Sequence, residues 1–187
     1  MIDRLKVDCA PAIFLAFVVT CISLPAMAQS GGFATTAKQA ILMDAGTGAV
    51  LYQKNADELV PPASMSKLMT LAVVFKALKA GTLKLSDDVL VSENAWRKGG
   101  APSRTSAMMV PLGTKVTVAE LIQGIIVESG NDAAIALAEH IGGSEAKFAE
   151  QMTAEARAIG LKRATFKNPT GLFDPRHLMT VQELAML

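Results

Sequence analysis

The chain has 187 residues, 51% of them hydrophobic, with 18 basic and 17 acidic residues and a net charge of +1. That length and apolar content suit one domain with a substantial core. The near-neutral balance, with no basic run, argues against a nucleic-acid partner.

Residues 1–28 differ from the rest. Arg4 and Lys6 precede an apolar run from about Ala10 to Leu24, followed by Pro25-Ala26-Met27-Ala28. A basic start, a short apolar stretch and an Ala-x-Ala end predict a secretory signal peptide cut after Ala28. A retained membrane helix fits less well, because Pro11 and Pro25 bracket a run shorter than the ~20 residues a span needs. A lipidated Cys21 fits less well too, since Thr20 is larger than the small residue expected before such a cysteine. Both cysteines, Cys9 and Cys21, lie in this segment, so the processed chain, 29–187, carries no free thiol into an oxidising compartment.

After a small, polar lead-in over 31–38, residues 40–44 and 49–53 flank Ala45-Gly46-Thr47-Gly48 and predict a β-hairpin. Pro61-Pro62 suits the approach to a helix, and the apolar residues that follow predict one from Ser64 to Ala80. Leu83, Leu85, Val89 and Val91, spaced mostly by two, suggest short extended segments. The stretch 94–111, with Gly99-Gly100 and Pro102, is expected to be a loop. Thr117-Val118-Ala119-Glu120 opens an apolar helix, since each side chain can bond the other residue's backbone N–H. Gly130 interrupts it, and helical patterns resume over 132–141 and 144–159, the latter stopped by Gly160. Residues 164–167 suggest a short strand before the turn-rich Asn168-Pro169-Thr170-Gly171. Thr180-Val181-Gln182-Glu183 begins a last helix, which the sequence leaves after about two turns; Leu187 is therefore expected to be a truncation.

Ser64 and Lys67 carry the first chemical signal. Three residues apart on a helix they share a face, so Oγ and Nζ can meet. A lysine can take the hydroxyl proton only when uncharged, which burial can arrange by lowering its pKa. The helix N-terminus adds N–H groups that favour a developing oxyanion. The pattern alone is weak, since about one Ser-x-x-Lys arises by chance in a chain this size. A second, Ser144-Glu145-Ala146-Lys147, reads as a helix N-cap with a solvated lysine. The partner signal is Ser129-Gly130-Asn131, 65 residues after Ser64. There a second hydroxyl can relay a proton, and an amide can contact a substrate carbonyl and the lysine. Ser92-Glu93-Asn94 matches the same loose pattern. His140 and His177 have no partners at metal-ligand spacing and read as structural or surface residues. Met65, Met69, Met108 and Met109 read as core filler, and Trp96 and Phe173 as packing or groove aromatics.

Pro62-Ala63-Ser64-Met65-Ser66-Lys67-Leu68-Met69-Thr70, Val91-Ser92-Glu93-Asn94-Ala95-Trp96, Glu128-Ser129-Gly130-Asn131-Asp132-Ala133 and Thr170-Gly171-Leu172-Phe173-Asp174-Pro175 resemble the low-molecular-mass penicillin-binding proteins that are serine-type D-alanyl-D-alanine carboxypeptidases. The likeness runs from about Ala40 to Leu187. It implies an α/β (α+β) fold of the β-lactamase/transpeptidase-like kind, an antiparallel sheet flanked by helices, incomplete in this chain. It also implies Ser64 as nucleophile, Lys67 as its base, Ser129 as proton relay and Asn131 as a substrate and lysine contact, with no metal or organic cofactor. Ser92-Glu93-Asn94 falls outside that site. The implied partners are a peptidoglycan stem pentapeptide and β-lactams as inhibitors, with a periplasmic location and a membrane surface reached only through a C-terminal anchor absent here.

The resemblance is incomplete. No Lys-Thr-Gly or Lys-Ser-Gly stands after Ser129, so residues 29–187 are expected to be the N-terminal part of a catalytic domain, without its third motif, second domain and anchor. Two alternatives follow. One is a catalytically silent fragment or peptidoglycan-binding module. The other is a class A β-lactamase, against which stand Ser-Gly-Asn in place of Ser-Asp-Asn and the lack of a Glu over 161–175.

Overall fold

The structure, a computed structural model, describes residues 34–187; the segment 1–28 assigned to a signal peptide lies outside the described residues. The expected hairpin is present as β1 (Ala40–Met43) and β2 (Val50–Lys54), paired antiparallel with Ala40 opposite Lys54. Asp44 holds its turn, Oδ1 accepting from Thr47 N at 2.7 Å and from Thr47 Oγ1 at 2.6 Å, the local bonding that favours Asp at turns. A second antiparallel ribbon joins β3 (Asp88–Leu90) to β4 (Lys115–Thr117), with Val89 opposite Val116. Among the described residues the strands thus form two separate two-stranded ribbons rather than one sheet. The strand expected over 164–167 is a single bridge, Thr165 to Leu178.

The helix expected from Ser64 begins differently. Ala63–Ser66 is wound as a 3-10 turn, and α1 (Lys67–Lys79) follows. Ala63 has φ +50°, a left-handed conformation that an α-helix cannot propagate. The stretch expected as a loop contains α2 (Glu93–Gly99) and a 3-10 turn, Ala101–Ser103. Ser92 supplies the start that was overlooked: its Oγ accepts from Ala95 N at 3.0 Å and caps α2.

Among the described residues four further helices follow: α3 (Val118–Glu128), α4 (Asn131–Gly142), α5 (Glu145–Ala158) and α6 (Val181–Met186). The reciprocal caps expected at Thr117/Glu120 and Thr180/Glu183 both form. Ser144 caps α5 through Lys147 N at 3.3 Å, and Lys147 is exposed, so the second Ser-x-x-Lys is a cap as expected.

Helix α4 lies at the centre, with every residue from Asn131 to Ala138 buried. Its alanines let neighbours approach closely, and a helix apolar on all sides belongs inside. One core cluster joins Leu71 and Val74 of α1 to Leu121, Ile125, Ile135 and Leu137. Another joins Met69 and Val73 of α1 to Phe148, Met152, Phe166 and Met179. Helix α1 is therefore held on two sides. Of the methionines read as core filler, Met69 is, whereas Met65 and Met109 are 51% and 59% exposed.

Helix α2 crosses the start of α4 at Gly99, where a Cβ would stand 2.4 Å from Asp132 N and 2.5 Å from Asn131 C. Only backbone can fit there. Gly99→Ala is expected to lower unfolding stability by about 1–3 kcal/mol, the usual range for overpacking, measured by urea denaturation. An unchanged midpoint would show that α2 can shift off α4 freely.

Candidate active site

In the 3-10 turn, three residues complete one turn and side chains at i and i+3 eclipse. Lys67 is thereby stacked over Ser64, and its Nζ lies 3.2 Å from Ser64 Oγ. The same Nζ donates to Thr170 O at 2.9 Å. Lys67 is only 4% exposed, and among the described residues it has no ion-pair partner. Burial lowers its pKa from 10.5 to about 8, because both acceptors are neutral and do not offset the lost hydration. In the uncharged state the contact reverses, with the Ser64 hydroxyl donating to the Nζ lone pair. The pair can therefore generate a nucleophilic oxygen near neutral to mildly basic pH.

Ser129 sits at the C-terminal end of α3 with φ +53°. The sequence marks Gly130 as the break between the helices; Gly130 has φ −56°, and the left-handed step falls on Ser129. Gly130 provides space instead: a Cβ there would lie 3.1 Å from Asp132 Oδ1 and 3.2 Å from Met108 N. Ser129 lines a cavity of about 400 Å³ together with Ser64, Lys67, Met65, Leu68 and Ile125. The structure thus brings Ser64, Lys67 and Ser129 to one opening between α1 and α3.

Asn131 is placed differently. It is 4% exposed, its Nδ2 donates to Thr105 Oγ1 at 2.9 Å, and its backbone N–H to Ser106 O at 2.8 Å. It makes no hydrogen bond to Lys67, whose donors go to Ser64 and Thr170. Its Oδ1 is buried without a hydrogen-bond partner, a state that costs about 1–3 kcal/mol unless a donor arrives.

Residues that sequence reasoning did not assign to the site hold these groups in place. The Asp132 carboxylate accepts from Met108 N at 2.8 Å, Ala133 N at 2.9 Å and Val110 N at 3.3 Å, pinning the 105–110 segment beside the Ser129 turn. Thr70 Oγ1 donates to Pro169 O at 2.7 Å. Gly171, at φ +83°, lies where a Cβ would be 1.8 Å from Ala63 O, so the 168–172 turn abuts the residue before the nucleophile. The turn signals of 168–171 were readable, but the use of a backbone carbonyl as a lysine acceptor leaves no side-chain signature.

The remaining candidates lie apart. Ser92 Oγ donates to Glu139 Oε2 at 2.5 Å, and Asn94 Nδ2 donates to Glu139 and Glu145, each at 2.8 Å; that look-alike motif ties α2 to α4 and α5. His177 is buried edge-on against Phe166, ring centroids 5.4 Å apart, and His140 is exposed. Trp96 packs partly buried against the core, while Phe173 is 82% exposed.

A family profile described as D-alanyl-D-alanine carboxypeptidase matches residues 26–187. The chain is 42% identical over 159 residues to D-alanyl-D-alanine carboxypeptidase DacF of Bacillus subtilis, covering 85% of this chain and 40% of that protein. It is 44% identical over 148 residues to DacC of Escherichia coli, covering 79% and 37%. Among solved structures, penicillin binding protein 5 from Haemophilus influenzae superposes with a TM-score of 0.77 at 40% identity, covering 83% of this chain and 45% of that one. The carboxypeptidase DacD from Francisella tularensis gives 0.77 at 40% identity, covering 82% and 36%. The fold is accordingly that of penicillin-binding proteins of the transpeptidase/β-lactamase-like class, and the chain spans about two fifths of the length of the curated relatives it matches. These relatives are named as carboxypeptidases or penicillin-binding proteins, none as a β-lactamase.

Since the folded-state pKa of Lys67 lies below its unfolded value, the unfolded chain binds more protons between about pH 8 and 10.5. Stability is therefore expected to rise with pH across that window relative to Lys67→Met, read as the difference in urea midpoints. Parallel pH dependences for the two proteins would mean that the amine is not desolvated.

Proposed function

Because the chain belongs to the D-alanyl-D-alanine carboxypeptidase family, matched over residues 26–187, we propose that Ser64 is the nucleophile of a serine-type carboxypeptidase acting on peptidoglycan pentapeptide stems. The observation that carries this reading is the 3.2 Å contact between Ser64 Oγ and the Nζ of a buried lysine that has no ion-pair partner among the described residues. Uncharged Lys67 takes the Ser64 proton as Oγ attacks the carbonyl of the penultimate D-alanine. Backbone N–H groups of the first turn favour the oxyanion.

Collapse of the tetrahedral intermediate breaks the C–N bond, and Ser129 relays the proton from Lys67 to the departing D-alanine amine. The acyl group then stays on Ser64 as an ester. Water adds to the ester carbonyl, the tetrapeptide leaves as a carboxylic acid, and Ser64 Oγ regains its proton. Asn131, with Oδ1 free of partners, contacts the substrate amide. A β-lactam presents an amide carbonyl to the same oxygen, strained by its four-membered ring; attack by Ser64 breaks the ring C–N bond and leaves an ester adduct on Ser64.

A cell-wall substrate lies outside the cytoplasm, in keeping with a signal peptide over 1–28 and a periplasmic location. Among the described residues no helix is long and apolar enough to cross a membrane.

Intact-mass spectrometry after incubation with a penicillin tests the assignment. One adduct per chain is expected, absent in Ser64→Ala and formed about 10²- to 10⁴-fold more slowly in Ser129→Ala, the range for losing a proton-transfer group. Adduct formation is expected to rise with pH through about 8 as Lys67 loses its proton. An adduct that survives in Ser64→Ala would remove Ser64 from the mechanism.

A further inference from the structure

The geometry points to Asn168 as a positioning residue for Lys67, acting through the turn 168–172. The inference rests on the reading of Ser64 and Lys67 given above. One side chain folds this turn. Asn168 Oδ1 accepts from Gly171 N at 2.7 Å, Thr170 Oγ1 at 2.9 Å and Thr170 N at 3.1 Å, while Nδ2 donates to Leu172 O at 2.8 Å. These four bonds satisfy polar groups at both ends of the turn and fix the direction of the peptides between them.

The consequence is felt at α1. Two successive carbonyls leave the turn toward the helix: Pro169 O accepts from Thr70 Oγ1 at 2.7 Å, and Thr170 O from Lys67 Nζ at 2.9 Å. Gly171 presses against Ala63 O, where a Cβ would have 1.8 Å. The turn therefore touches the chain just before Ser64 and also the base that serves Ser64. The Asn168 side chain hydrogen-bonds to neither, only within the turn. Its role is to hold the acceptor that keeps the Lys67 amine aimed while Ser64 Oγ occupies its other side.

A purely structural turn residue would alter stability alone. A positioning residue also changes how Lys67 titrates and how quickly Ser64 is acylated. Two variants separate these outcomes. Asn168→Ala removes all four bonds. Asn168→Asp keeps the three acceptor bonds, loses the donor to Leu172 O and places a negative charge on the turn.

The experiment uses the whole chain, with penicillin as the acylating probe and with NMR titration of the Lys67 ¹³Cε resonance, assigned through Lys67→Arg. For Asn168→Ala, acylation at pH 8 is expected to fall about ten- to hundredfold, the size that small misplacements of a reacting group produce. For Asn168→Asp the Lys67 midpoint is expected to move up by about one pH unit, because a nearby anion favours the ammonium form, and the rise in acylation moves with it. If Asn168→Ala does not fold, Asn168→Ser, which removes the donor to Leu172 O without adding a charge, decides by the same two readouts. Wild-type acylation and an unmoved Lys67 midpoint in the folded variants would overturn the inference. Failure of the wild-type chain to form an adduct would count against the proposed function, while the Lys67 titration would still decide the role of Asn168.

Discussion

Enclosure of the Lys67 amine among neutral acceptors is the constraint on which the site depends. A lysine surrounded by apolar atoms loses hydration energy when charged, and a carboxylate beside it would restore that energy and hold it as an ammonium. Here the partners are a hydroxyl and a peptide carbonyl, so desolvation acts unopposed and the amine approaches the uncharged form a base requires. The buried carboxylate of the neighbouring turn, Asp132, is taken up by three backbone N–H groups. Its charge stabilises the loop it holds and is not directed at the lysine by a hydrogen bond.

The enclosure needs three parts of the chain that lie far apart in sequence. Thr170 is 103 residues from Lys67, and Ser129 arrives on the α3–α4 turn. Such distant groups can be fixed to within a bond length only by a stiff frame, which α4 provides by being buried along its first eight residues. Helix α1 then packs into both core clusters, through Leu71 and Val74 on one and Met69 and Val73 on the other, so Lys67 projects from a helix that cannot roll. The missing Cβ of Gly171 lets the 168–172 turn meet the backbone just before Ser64, and that of Gly99 lets α2 meet the start of α4, next in sequence to the Ser129 turn.

Much of this was legible. The hairpin, the helix caps at Thr117 and Thr180, the cap at Ser144 and the stop at Gly160 follow from local chemistry that acts within a few residues. The Ser64–Lys67 contact followed from spacing, though the winding at Ser64 is 3-10 and Ala63 before it is left-handed, which no propensity predicts. Helix α2 was hidden because Gly99-Gly100 and Pro102 mark a break without saying how much helix precedes it. The sequence marks Gly130 as the break between α3 and α4, yet Ser129 takes the left-handed step; crowding from Asp132 and Met108 reserves Gly130 for space. Thr170 and Asn131 were the hardest, since a backbone acceptor and a side chain turned toward Thr105 are set by tertiary packing.

The look-alike motifs show what makes a hydroxyl available. In Ser144 and Ser92 the oxygen accepts a backbone N–H at the start of a helix, the favoured use of serine at that position. An oxygen already engaged there, with a lysine in solvent or an asparagine tied to glutamates, has little left for chemistry. Ser64 escapes this use because Pro62 occupies the cap position of its turn and makes no side-chain cap. Left-handed Ala63, at a cost of about 1–2 kcal/mol, places the serine one residue into the turn instead of at its cap. Ser129 avoids it by ending a helix rather than beginning one. The strain at Ala63 and at Ser129 thus has a common effect. Each keeps a serine next to a helix terminus without using it as an N-cap, and both serines line the same cavity.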